Sequence, residues 1–197
     1  MTPSATSRNL ASREMIIASA RREIERHGIL GLRVADVAAG ANCSITQIYR
    51  YFGDRNGLLA QVLGDIYDEM ILGVHRAFME AVDNITNLTL DDIVNLLPAP
   101  NSDSARRNQE IRLQILAASV NNVPLRERLE ETTRAQWKVW TADLERIARR
   151  LPEGKKFDAR VFTISLAMQV GYYRSLMDDT AFTDDEYRQF IKDKLGS

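Results

Sequence analysis

Residues 34–52 read VADVAAGANCSITQIYRYF, and how this stretch divides decides the fold. It opens with apolar side chains at Val34 and Val37 and then places the small Ala38. Four positions later it reaches Asn42, one of the few non-glycine residues that enter the left-handed backbone region cheaply. Ala41, Cys43 and Ile48 add apolar positions around that point. Two short helices crossing at a tight turn need this pattern: a small residue at the crossing, a residue tolerant of positive φ four later, and apolar neighbours on both sides. The spacing predicts a helix over about 34–39, a turn at 41–43 and a second helix over 45–52.

The second helix has two kinds of face. Ser44 is placed to cap it, its hydroxyl meeting a free backbone N–H. Ile48 and Phe52, four apart, turn inward and leave Ile45, Thr46, Gln47, Tyr49, Arg50 and Tyr51 on or near the outside. The leading residues of such a helix reach base edges in duplex DNA. Gln bonds adenine bidentately, Thr bonds a base or touches a thymine methyl, and Ile makes apolar contact, so Ile45, Thr46 and Gln47 are the expected base contacts. Tyr49, Arg50 and Tyr51, further along the helix, suit the DNA backbone.

Charge supports this division weakly. Residues 1–60 hold eight Arg, no Lys and five acids, while the whole chain has a net charge of −1. A strongly basic, sequence-neutral DNA coat is therefore not expected.

Outward from this stretch the periodicity is helical, so the expected class is all-α, with about nine helices. Residues 1–11, polar and Ser/Thr-rich, are expected to form a mobile arm. A first helix is expected over about 12–27, with Ile16, Ala20 and Ile24 on one face and Gly28 as its stop. A long helix begins near Arg55 with the stripe Leu58, Val62, Ile66, Met70, Val74 and Phe78. Thr89 with Asp92, and Thr183 with Glu186, are spaced as capping boxes. A helix over 104–121 places Ile111, Ile115 and Ala118 together. The next, opened by Pro124, carries Leu125, Leu129, Gln136, Trp140, Leu144, Ile147 and Leu151. A segment over 158–177 is apolar nearly all round, which calls for cover on two sides.

Residues 13–59 resemble the N-terminal domain of the tetracycline-repressor (TetR) family of bacterial regulators. The resemblance rests on "VADVA", the A-x-x-S at Ala41–Ser44, "IYRYF", and Arg55 followed by Leu58-Leu59. The chain departs from the family's habit in four places. Asn42 stands where Gly is usual, Arg33 where Thr is common, Ile45-Thr46 where Lys-Gly is frequent, and Arg55 where Lys is usual; the resemblance implies Arg33, Ser44 and Arg55 as further contacts to the DNA backbone. The resemblance implies a three-helix helix-turn-helix domain over 1–57 and a helical ligand-binding and dimerisation domain over 58–197. It also implies a homodimer on a near-palindromic double-stranded operator, acting as a repressor released by a small-molecule, partly apolar inducer. Dimerisation would use the last two long helices, with Phe162, Leu166, Val170, Tyr173 and Met177 at the interface. Phe78, Leu116, Trp137, Trp140, Met168 and Tyr172 are the expected lining of the inducer cavity.

Other chemistries find little support. His27 and His75 are far apart, Cys43 is the single cysteine, and there is no H-E-x-x-H motif, cysteine pair or nucleophile elbow. No metal site, cofactor or catalytic constellation is expected. One cysteine excludes an internal disulfide, no signal peptide is visible and no run is long enough for a membrane span, so the expected compartment is the cytoplasm.

Overall fold

The computed structural model describes residues 5–97, 103–152 and 183–195, and every regular element among them is an α-helix, as expected. In chain order these are α1 (Ala5–Gly31), α2 (Val34–Gly40), α3 (Ile45–Phe52), α4 (Arg55–Asp83), α5 (Leu90–Asn95), α6 (Asp103–Val120), α7 (Val123–Arg150) and α8 (Asp184–Leu195). The segment expected over 158–177 lies outside the described residues, and with it Phe162, Leu166, Met168, Val170, Tyr172, Tyr173 and Met177. The chain divides into two compact units, Met1–Glu69 with Gln114–Thr132 and Met70–Leu113 with Thr133–Ser197.

In the first unit α1 packs on α2 and α3, and α2 packs on α3. Helix α1 begins at Ala5 rather than near Ser12, so residues 5–11 are helical and not a mobile arm. The reason is tertiary: the Tyr51 hydroxyl donates to Asn9 Oδ1 (3.1 Å), giving the early turns a partner on α3 that periodicity cannot reveal. Gly28, at φ 70° and ψ 172°, breaks α1 where a side chain would be strained. Ile16, Ala20, Val37, Ala38, Ile48, Leu58, Val62 and Leu63 are buried, as are Ile115, Leu125 and Leu129 from α6 and α7. Each large side chain of this set contributes ~1.5–3 kcal/mol by leaving water. The buried Ser19 hydroxyl donates to the Val37 carbonyl (3.0 Å), so α1 and α2 meet without an unpaired polar group.

The second unit has its own core of Phe78, Met79, Val82, Leu88, Ile93, Val94, Leu97, Leu144, Ile147, Leu151, Ile191 and Leu195. Helix α8 packs on α5, and Lys192 pairs with Asp91 between them. Both capping boxes form. The Asp92 N–H donates to Thr89 Oγ1 (3.2 Å) and the Thr89 N–H to Asp92 Oδ2 (2.9 Å). The Glu186 N–H donates to Thr183 Oγ1 (3.1 Å) and the Thr183 N–H to Glu186 Oε2 (2.6 Å). Ile111 departs from expectation. It is 41% exposed, whereas Ile115 is fully buried, so the inner stripe of α6 does not extend back to it.

Candidate nucleic-acid interface

The turn is built as its spacing requires. Asn42 has φ 51° and is the one non-glycine residue with positive φ among the described residues. The Ala41 N–H donates to Val37 O (2.9 Å) and the Cys43 N–H to Ala38 O (3.0 Å), closing α2 before the chain leaves for α3. Ser44 is extended, and its Oγ accepts from the Gln47 N–H (3.1 Å) at the start of α3. Burial pushes the Cys43 thiol up, which disfavours the reactive thiolate.

Helix α3 is held by one fully buried side chain, Ile48. Phe52, expected to be equally interior, is half-buried. The Arg13 guanidinium lies 5.4 Å from its ring centroid and the Tyr51 ring meets it edge-on at 6.3 Å. Ile45 is 41% and Tyr49 40% exposed, Thr46 and Arg50 are exposed, and Gln47 is half-buried. The Arg50 guanidinium sits 5.3 Å from the Tyr51 ring. Arg33 precedes α2 in extended backbone, its side chain exposed and making no cap bond. Arg55, at the start of α4, donates to the Leu32 carbonyl (3.3 Å). The base-reading candidates Ile45, Thr46 and Gln47 thus share the leading end of one helix. Arg33, Arg50 and Arg55 are exposed at or beside the ends of α2, α3 and α4.

A short helix anchored by one isoleucine and capped by serine follows α2 across a tight turn, and its leading end leaves Ile45 and Thr46 exposed. That defines a helix-turn-helix DNA-binding protein. Residues 16–62 match the model for bacterial regulatory proteins of the tetR family. No curated protein matches it. Among solved structures it is similar to a TetR-family transcriptional regulator from Rhodococcus sp., at 21% identity and TM-score 0.55 over 94% of this chain and 98% of that one. It is similar to the multidrug binding protein EbrR, in complex with imidazole, at 19% identity and TM-score 0.61 over 94% and 95%. It is also similar to a transcriptional regulator from Saccharomonospora viridis, in complex with choline, at 19% identity and TM-score 0.60 over 93% and 95%. At these identities the structural likeness is one of fold.

The expected cavity residues fare unevenly. Phe78 is buried and Trp140 half-buried, their ring centroids 5.6 Å apart, and the His75 ring lies 4.4 Å from that of Trp140. Trp137 and Leu116 are 49% and 37% exposed, and Leu116 belongs to the first unit. Sequence reasoning passed over the polar groups beside Trp140. His75 Nε2 is 2.8 Å from Asp143 Oδ2, and its Nδ1 is 3.0 Å from Gln136 Nε2. Gln136 is 7% exposed. A glutamine on the otherwise apolar stripe of α7 was the available signal. No group of metal-ligating side chains, and no helix long and apolar enough to cross a membrane, occurs among the described residues.

Proposed function

We propose that this regulator binds a near-palindromic operator as a homodimer, represses transcription in the cytoplasm and is released by a small organic inducer. The observation that carries the DNA half is the leading end of α3, with Ile45 and Thr46 exposed, Gln47 half-buried and Ile48 buried. Residues 1–57 form the DNA-binding part in this reading, and 58–197 the ligand-binding and dimerising part. Arg33, Ser44, Tyr49, Arg50, Tyr51 and Arg55 grip the DNA backbone. Tyr51 has one hydroxyl proton and spends it on Asn9, so a phosphate oxygen takes the place of Asn9 Oδ1 when DNA binds. Two recognition helices entering successive major grooves sit about 34–36 Å apart or a multiple of that.

The inducer half is supported by the Phe78–Trp140–His75 aromatic group with the Asp143 carboxylate beside it. Ring faces next to a carboxylate suit a basic or cationic organic molecule. Relatives of the same fold hold imidazole and choline. The nearly all-round apolar pattern of residues 158–177 supports dimerisation there.

The test starts with duplexes selected from a random DNA pool by the full chain. Gln47→Ala is expected to lose sequence preference. Arg55→Ala is expected to bind all sequences more weakly and with a lower salt dependence. If neither substitution alters DNA binding, α3 is not the reading helix.

A further inference from the structure

Helix α4 carries a glycine at position 64, deep inside its run, where glycine costs a helix ~1 kcal/mol relative to alanine. The residue laid over it is Arg128 of α7. A Cβ on Gly64 would come 2.5 Å from Arg128 Cδ and Nε and 2.8 Å from Cζ, so only glycine lets the guanidinium lie this low across α4. There Nη2 donates to Asp65 Oδ1 (2.6 Å) and Asp68 Oδ2 (2.8 Å), while Nη1 donates to the Gln61 backbone carbonyl (3.2 Å).

The network continues on both sides. Asp68 Oδ1 accepts from the Thr132 hydroxyl (2.7 Å), a turn further along α7. Gln61 Nε2 donates to Asp65 (2.9 Å), and Gln61 Oε1 accepts from Arg13 (2.6 Å), whose guanidinium covers the Phe52 ring at the end of α3. At the start of α7, Asn122 accepts from the Leu125 N–H (3.1 Å) and donates to the Asn56 carbonyl on α4 (3.0 Å). All of these residues belong to the first unit.

Net attraction does not explain this arrangement. The charged groups are partly exposed, 29% for Arg128 and 23% and 26% for its two aspartates, and pairs of that kind contribute little. An apolar pair at 64 and 128 would hold the two helices together without a helix-weakening glycine. What the polar version adds is direction. A planar guanidinium gripping two carboxylates and a carbonyl permits a single axial register of α7 along α4, which a greasy contact would leave free to slide.

We propose that Arg128, seated on Gly64, is a positioning residue for DNA binding: it fixes the register of α7 along α4, whose Gln61 is bonded to Arg13 of α1, and so sets the half-site spacing that the dimer accepts. This rests on the reading of the chain as a dimeric operator binder.

The experiment uses the full chain and duplexes whose two selected half-sites are moved apart or together one base pair at a time. Affinity is measured at each spacing for wild type, Arg128→Met, Gly64→Ala and Asp68→Asn. Wild type should show a sharp optimum. Arg128→Met and Gly64→Ala should flatten it, losing about tenfold of the preference for the best spacing over its neighbours, while preference within a half-site stays unchanged. Gly64→Ala separates positioning from folding: alanine strengthens the helix and makes the guanidinium shift off its seat, so the melting temperature holds while the spacing profile broadens. Should Arg128→Met fail to fold, Gly64→Ala and Asp68→Asn decide the matter. Variant profiles that superpose on a sharp wild-type profile overturn the proposal and leave the operator reading intact. A wild-type chain that selects no duplex overturns the operator reading itself, and the proposal with it.

Discussion

Helix α3 and the middle of α7 break the solvation rule in opposite directions. On α3, Ile45 and Tyr49 stand 41% and 40% exposed, apolar and aromatic groups left in water. On α7, Gln136 is 7% exposed, a polar group taken out of water, but it is paired with His75, which is paired in turn with Asp143. The exposed groups of α3 have no protein surface to cover them and gain only when another molecule arrives. The buried groups of α7 already satisfy one another, so they act inside the unit by fixing how α4 and α7 meet. A residue out of its preferred solvent marks a function, and whether it is already paired tells which kind.

The sharpest way to break this comparison lies within α3. Ile48→Ala should lower stability by ~2–5 kcal/mol, because a fully buried isoleucine leaves a cavity, and DNA binding should fall with it. Ile45→Ala, three positions away and exposed, should change stability by less than ~0.5 kcal/mol. It should nevertheless alter the sequences recovered from a random DNA pool. Urea unfolding with DNA selection on the same two variants checks both. A stable Ile48→Ala would mean that α3 is held by something other than Ile48.

In the second unit, His75→Phe keeps a ring against Trp140 but strips Gln136 and Asp143 of their shared partner. The expected loss is ~1–3 kcal/mol in thermal or urea unfolding, from the buried Gln136 amide left unpaired, while Asp143 keeps Arg146. Affinity of the folded variant for a single half-site should be unchanged. If stability does not move, the cluster is wetter than its burial implies.

The smallest expected effect is a pH dependence in the first unit. The bond from Arg21 holds the Glu69 carboxyl below the usual carboxylate range, through two contacts of 2.7 and 2.8 Å. A carboxylate with a lowered folded pKa contributes stability above its unfolded value and loses it as pH falls through the folded one. Glu69→Gln should therefore cost under ~1 kcal/mol at neutral pH, the pair being surface-exposed, and the difference from wild type should vanish in acid. Melting temperatures across the acid range give the comparison.

What was legible in the sequence was local. The Ala38-to-Asn42 step, the Ser44 cap and the two capping boxes each involve residues three or four apart, and such spacing carries its own geometry. The long-range pairs were not legible. Arg128 meets Asp65 and Asp68 across sixty or more positions, and His75 meets Gln136 and Asp143 across similar gaps. Nothing in either segment alone names its partner. Gly64 in α4 was passed over in the sequence, and its reason is the guanidinium above it. The same limit hid the early start of α1, whose residue Asn9 answers to Tyr51 rather than to its own neighbours.

The way α3 is fastened has a consequence for inheritance. Ser44 caps it, its hold on the rest of the protein passes through Ile48, Tyr51 and Phe52, and none of these depends on the side chains at 45 and 46. Those two positions can therefore drift under mutation without endangering the fold. A library randomised at these two positions should consist mostly of folded proteins, and under the proposed operator reading its members differ in the DNA they prefer.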